Sequence, residues 1–298
     1  MARGVALHAS RRFAAARCLV RKLGTIASMT SSPFTRTPLI QGSIGLHVFM
    51  AGTVTMQPSW WPMALATLVA DHALIAGAGL WPTSTWLGPN LRRLPVAAIA
   101  RNEIALTIDD GPDPDVTPRV LDLLDAIDAK ATFFCIGTRV LAQAALAREM
   151  VARGHAIENH SFRHNHHFSL LGPRGYEREI VAAQRAIADT VGIAPRFFRA
   201  PAGLRNLFLQ PVLARHRLVL TSWTRRGFDT VKRDAKQVAS RLVDGHGGLA
   251  AGDILLLHDG HAARQNNGEP VIFGALPRFG AATRERGLAL VTLAAAHA

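Results

Sequence analysis

Two adjacent carboxylates, Asp109 and Asp110, close the apolar run Ile104–Ile108 and precede Gly111-Pro112. Neighbouring carboxylates repel, and a cation or an arginine that neutralises one of them relieves the cost. An ordinary Asp-Gly turn would also set them side by side. A second cluster reads Glu158-Asn159-His160-Ser161-Phe162-Arg163-His164-Asn165-His166-His167. His160 and His164 are four residues apart, so a helical turn would bring both imidazoles to one face, where they could share a metal ion. The other reading is a run of surface histidines, to which His166 and His167 belong.

Three further clusters carry usable chemistry. Arg199 precedes Ala200-Pro201-Ala202-Gly203. Its planar guanidinium could hold a carboxylate through two hydrogen bonds, and the proline and glycine would shape a tight loop with exposed backbone N–H groups. Trp223 is followed by Asp229. Finally, the apolar run Ile254–Leu257 ends in His258. A lone histidine at a strand end is often structural. Opposite a carboxylate it becomes a candidate acid, because the carboxylate raises its pKa and fixes its tautomer.

Each cluster follows a run of strand length. Strands are expected at Ile104–Ile108, Ala131–Ile136, His155–Glu158, Arg196–Arg199, Val219–Trp223, Asp253–His258 and Leu288–Thr292. Helical periodicity marks Val116–Ile127, Leu141–Arg153, Tyr176–Val191 and Ala235–Val243. Alternating strands and helices predict βα units and a parallel sheet. About seven such strands in one stretch favour a barrel-like closure over two domains. In parallel α/β folds the ligand site lies at the carboxyl ends of the strands, where these clusters fall.

The rest of the chain bounds the answer. Of 298 residues, 49% are apolar, which excludes wholesale disorder, and two cysteines, Cys18 and Cys135, exclude a disulfide framework. The net charge is +13, and no acidic residue precedes Asp71. With the excess partly in an N-terminal arm and no nucleic-acid motif present, no nucleic-acid partner is expected. Residues 1–36, basic and acid-free, read as a disordered arm or a targeting leader, with a start at Met29 also open. Residues 37–98 hold two apolar stretches, Leu39–Met56 and Pro62–Trp81, with Trp60, Trp61, Trp81 and Trp86 bracketing the second. Tryptophan at both ends of a span of ~30 Å fits a membrane helix with interfacial anchors. Against it stands the mid-span Asp71, costly in a bilayer at ~2.5–3.5 kcal/mol, and buried helices packed on the domain are the alternative. The segment is expected to be one or two membrane-associated helices, at a bacterial inner membrane. A two-helix hairpin would leave Arg92-Arg93 on the same cytoplasmic side as the arm; a single span would put the remaining chain outside.

In this order, Asp-Asp-Gly at 109–111, His-Ser-x-x-His at 160–164, Arg-x-Pro-x-Gly at 199–203 and Leu-x-His at 256–258 resemble the NodB-homology polysaccharide deacetylases, carbohydrate esterase family 4. Lys130-Ala-Thr-Phe-Phe-Cys-Ile-Gly137 resembles the family's second strand. The likeness covers about residues 100–295, within a domain drawn at 99–298. It implies a distorted (β/α) barrel, preceded here by the hydrophobic helical segment, that hydrolyses N-acetyl groups, or sometimes O-acetyl groups, on sugars with a divalent metal. Zinc is the expected ion, with cobalt, nickel or manganese as alternatives. By resemblance, Asp110, His160 and His164 would bind the metal and Asp109 would be the base toward its water. Arg199 would orient Asp109 and keep it ionised. His258, tuned by Asp229, would protonate the departing amine. The backbone N–H of Ala202 would help hold the oxyanion, and Trp223 and Leu256 would wall the acetyl or sugar pocket.

The sequence departs from the family at Asn165, where proline is frequent, and at Ala202, where an aromatic is usual. Arg226 replaces an aspartate and Thr230 a tryptophan. These changes leave the catalytic groups and fall on substrate contacts, so a short or lipid-linked sugar is also compatible. O-acetyl esterase or deformylase chemistry on such a sugar, and a membrane-attached carbohydrate-binding protein without catalysis, are the competing expectations.

Overall fold

A computed structural model describes residues 36–245 and 247–298. The arm expected over residues 1–36, apart from Arg36, lies outside the described residues. Helix α1 (Pro38–Met56) and helix α2 (Trp61–Leu80) follow, joined by a short 3-10 turn, and pack against each other. Both are long and apolar enough to cross a membrane, and most of their side chains are not buried. Four of their polar side chains meet across the pair: Ser43 Oγ donates to Asp71 Oδ2 at 2.6 Å, and the rings of His47 and His72 lie 5.1 Å apart. Pairing polar side chains between apolar helices spares them an unpartnered burial.

After the short helix α3 (Val96–Ala100), the chain enters the sheet with β1 (Glu103–Asp109), helix α4 (Thr117–Ala126) and β2 (Ala131–Cys135). Helices α5 (Gly137–Ala142) and α6 (Ala144–Ala152) lead to β3 (Ala156–Asn159), and helix α7 (Pro173–Val191) to β4 (Phe197–Phe198). Helix α8 (Leu209–Arg215), β5 (Val219–Leu220), β6 (Arg225–Arg226), helix α9 (Ala235–Val243), β7 (Ile254–His258), helix α10 (Val271–Glu285), β8 (Ala289–Leu290) and helix α11 (Leu293–Ala296) complete it. The sheet order is β5-β4-β3-β2-β1-β7-β6, with β8 beside the start of β1, and all of these pairs are parallel. The seven strands curl into a half-barrel, as the alternation of strands and helices predicts. Leu91 bridges to Thr221, just after β5, and Arg93 to Asp253, just before β7.

Strand alternation sorts the side chains. Ile104, Leu106 and Ile108 join the core under the outer helices, while Thr107 and Asp109 point the other way, where Arg199 meets both. A separate cluster of Leu94, Ala98, Ala105, Phe134, Phe197, Ile254, Leu293 and Ala296 includes residues of α3 and α11 and is distinct from that outer core. The register aligns the functional ends: Asp109 lies opposite both Phe134 and His258, Cys135 opposite Asn159, and Asn159 opposite Phe198. Residues 109, 160, 199 and 258 therefore emerge on one edge.

Three local expectations are corrected. Residues 160–167 form no helical turn; they are an irregular loop with left-handed backbone at Ser161 and His164. The helix expected at Leu141–Arg153 is two helices, α5 and α6. Helix α10 went unrecognised because Pro277, Gly274 and Gly280 break its pattern. The glycines serve close packing: a Cβ on Gly274 would lie 2.7 Å from the Ala235 side chain, and one on Gly280 2.8 Å from Ile127.

Candidate active site and metal centre

At the carboxyl edge of the sheet lies a cavity of about 450 Å³, lined among others by Asp109, Asp110, His160, His164, Ala202, Trp223, Leu256 and His258. The sequence-predicted residues Arg199 and Asp229 stand behind this wall, both buried. All ten candidate residues thus converge on one region.

Asp109 ends β1, and its Oδ1 accepts from Arg199 Nη1 at 2.7 Å. The two-bond grip expected of Arg199 is not formed. Its remaining donors go to Thr107 Oγ1 (2.7 Å), the Thr221 carbonyl (3.2 Å) and the Ser222 carbonyl (2.9 Å), and its guanidinium lies over Phe134. One arginine therefore ties β1, β4 and the end of β5 together. Burial lowers its pKa from the usual value and the Asp109 carboxylate opposes that.

Asp110 follows at φ +78°, which turns its side chain toward the 160–164 loop. His160 Nε2 lies 3.3 Å and His164 Nε2 3.2 Å from Asp110 Oδ1, and one ligand atom from each of the three residues lies within 4.8 Å of the others. Asp110 Oδ1 is buried with no hydrogen-bond partner. His160 Nδ1 sits 2.9 Å from the Arg199 carbonyl, to which only a protonated nitrogen can donate, so in the neutral ring Nε2 presents its lone pair to the carboxylate. Burial would lower His160, but Asp109 and Asp110 outweigh it and raise its pKa. His164, by contrast, is pushed down to about 4 by burial and by the neighbouring His160. An oxygen and two nitrogen lone pairs facing one point call for positive charge between them, and the donor set suits a divalent ion of zinc type. The residues present fit such an ion.

The loop that carries the histidines is fixed from outside. Asn159 Oδ1 accepts from the Ser161 N–H (2.9 Å), and Glu179 of α7 accepts from the N–H groups of Phe162 (3.2 Å) and Arg163 (2.9 Å). The Ser161 hydroxyl accepts from the His164 N–H at 3.1 Å.

On the other side, Asp229 binds His258 twice: Oδ2 accepts from its backbone N–H at 2.7 Å and Oδ1 lies 3.0 Å from Nδ1. Burial disfavours the imidazolium, but Asp229 prevails and pushes His258 up to about 9. The arrangement keeps Nδ1 protonated and turns Nε2 toward the cavity.

Two further cavity residues, outside the sequence-predicted set, bear on the site. His261 Nδ1 lies 2.9 Å from Asp110 Oδ2 and occupies the carboxylate oxygen that the ion would not need. The only signal for it was a second histidine in His-Asp-Gly-His after β7. Arg226, one of the departures from the family's pattern, also lines the cavity. A second His/Asp group of possible ligands, His47, Asp71 and His72, lies between α1 and α2.

The polysaccharide deacetylase family model matches residues 98–220. A chitooligosaccharide deacetylase of Bradyrhizobium sp. is 35% identical over 177 residues, 56% of this chain and 79% of the relative. A peptidoglycan-N-acetylglucosamine deacetylase of Bacillus cereus is 35% identical over 178 residues, 59% of this chain and 77% of the relative. Among solved structures, the family 4 carbohydrate esterase from Streptomyces lividans in complex with acetate superposes with a TM-score of 0.56 at 28% identity, covering 63% of this chain and 91% of that one.

Proposed function

This chain belongs to the NodB-homology polysaccharide deacetylase family, carbohydrate esterase family 4, and from that premise we propose that it is a metal-dependent hydrolase removing acetyl groups from N-acetylglucosamine residues of a chitooligosaccharide or a peptidoglycan. The observation that carries the reading is the convergence of Asp110, His160 and His164 beside an Asp109 held by Arg199.

Asp110, His160 and His164 would hold the divalent ion, and their oxygen and nitrogen donors suit zinc. When bound, the ion supplies Lewis acidity toward the acetyl carbonyl and the attacking water. Asp109 takes a proton from that water as its oxygen bonds to the carbonyl carbon. Arg199 positions Asp109 by donating to its Oδ1, which leaves the second oxygen of this cavity-lining carboxylate for the water. Ala202 lines the cavity, and its backbone N–H is the candidate donor to the developing oxyanion. As the C–N bond breaks, His258 gives the proton on Nε2 to the departing amine, and Asp229 stabilises its charged form until that moment. Acetate and a free amino sugar leave. Trp223 and Leu256 wall the acetyl and sugar positions.

The two apolar helices and their exposed flanking tryptophans support attachment to a membrane, with residues 99–298 as the catalytic domain. A reporter fused to the C-terminus would assign the side. The reaction itself is tested by acetate release from chitooligosaccharides, peptidoglycan fragments, O-acetyl sugars and N-formyl sugars, with and without chelator. Release from the N-acetyl substrates alone, lost on chelation, is expected; chelator-insensitive release, or release from esters only, would contradict the proposal.

A further inference from the structure

Arg226 ends the two-residue strand β6, opposite Leu256 in register and thus on the His258 side of the cavity. Its guanidinium carbon sits 4.4 Å from the ring centre of Phe228 and 5.4 Å from that of Trp223, so two aromatic residues hold it in place. Its Nε is buried without a hydrogen-bond partner, and among the described residues none accepts a hydrogen bond from this guanidinium. The nearby carboxylates are committed elsewhere, Asp229 to His258 and Asp109 to Arg199. The other two arginines lining the cavity are committed too: Arg139 donates to the Asp110 carbonyl and Arg163 to Glu179.

A rigid, partly desolvated arginine with unmet donors is costly unless something anionic completes it. We infer that Arg226 forms an oxyanion subsite, and that the acetylated sugar taken by this cavity carries a carboxylate or a phosphate beside its acetamido group. The inference rests on the deacetylase reading and, within it, favours an anionic sugar of the peptidoglycan kind over a neutral chitooligosaccharide. Because Arg226 shares its side of the cavity with His258, the anion belongs to the sugar that leaves as the amine, and the released acetyl group does not touch it. Paired donors of the guanidinium fit either oxyanion in a two-pronged contact.

The test uses the full chain in detergent, loaded with zinc. Binding of N-acetylglucosamine, N-acetylmuramic acid and N-acetylglucosamine 6-phosphate is measured by calorimetry, and acetate release is measured on each and on neutral chitooligosaccharides. The wild type is expected to bind at least one of the two anionic sugars about tenfold or more tightly than the neutral one, a gain typical of a charge-assisted contact; which one identifies the oxyanion. Arg226→Ala should erase that preference through binding or KM, so that the anionic sugar falls to the level of the neutral one. Arg226→Lys should recover part of it, since the charge returns without the planar fork. Equal binding of neutral and anionic sugars by the wild type, or an equal loss on all substrates in Arg226→Ala, would overturn the inference. Charge-selective binding without acetate release from any sugar would support the subsite and count against the reaction. Acetate release without charge selectivity would do the reverse.

Discussion

Nη1 of Arg199 donates to Oδ1 of Asp109 at 2.7 Å, with both side chains almost wholly excluded from water. The ion pair joins the ends of β1 and β4, so the residue that positions the base also braces the sheet. Removing one member of a buried pair leaves the other unpaired, at a cost of ~3–5 kcal/mol. Arg199→Met should therefore lower unfolding stability by that order in urea titrations and abolish acetate release. Unchanged stability would mean that this arginine does not brace the strand ends.

The pH dependence of turnover should report the opposite wall. His258 must be protonated to donate, and its pKa stands at about 9, so kcat should fall as pH rises through that region. In Asp229→Asn burial persists while the compensating carboxylate is gone, which moves the alkaline fall toward lower pH. A pH–rate profile with the same alkaline limb in both proteins would assign the leaving-group proton to another residue.

His261 offers a third test. Its contact with Asp110 Oδ2 fixes the carboxylate so that Oδ1 faces the two imidazoles. Supporting groups of this kind are worth ~10–100-fold in metal affinity. Competition titration with a chromophoric chelator should show a loss of that order in His261→Ala. Affinity equal to that of the wild type would leave His261 a bystander.

Glu179 lies outside the cavity yet holds the 160–164 loop through the N–H groups of Phe162 and Arg163. Glu179→Ala orphans those donors, a loss of ~1–3 kcal/mol each if they stay dry. Stability and metal affinity should fall together, whereas the His258 alkaline limb should stay in place. Loss of stability with full metal affinity would show that the loop keeps its shape unaided.

Much of this arrangement was legible in the sequence because parallel strands advertise themselves twice. Ile104–Ile108 and Ile254–Leu257 are apolar runs too short for free-standing helices, and each stops abruptly at polar residues that the fold must place at the sheet's carboxyl edge. What failed to show was set by tertiary contact. The backbone of Ser161 and His164 is left-handed, a conformation residue type alone does not announce, so the four-residue spacing of His160 and His164 suggests a helical turn that the loop does not form. Strand β6 is two residues long and carries two arginines, which gives no apolar run to detect. Helix α10 hides behind Pro277 and two glycines that its packing against Ala235 and Ile127 requires. His261 became visible only when β7 and β1 were brought side by side.

The central claim is a division of labour between neighbouring carboxylates, Asp110 for the metal and Asp109 for the proton. It is tested most directly by measuring tightly bound zinc and acetate release together in Asp110→Ala and Asp109→Asn. The account predicts that Asp110→Ala loses both the cavity's zinc and turnover, while Asp109→Asn binds zinc like the wild type and releases no acetate. Zinc held at wild-type affinity in the cavity of Asp110→Ala, or acetate release at the wild-type rate in Asp109→Asn, would contradict it.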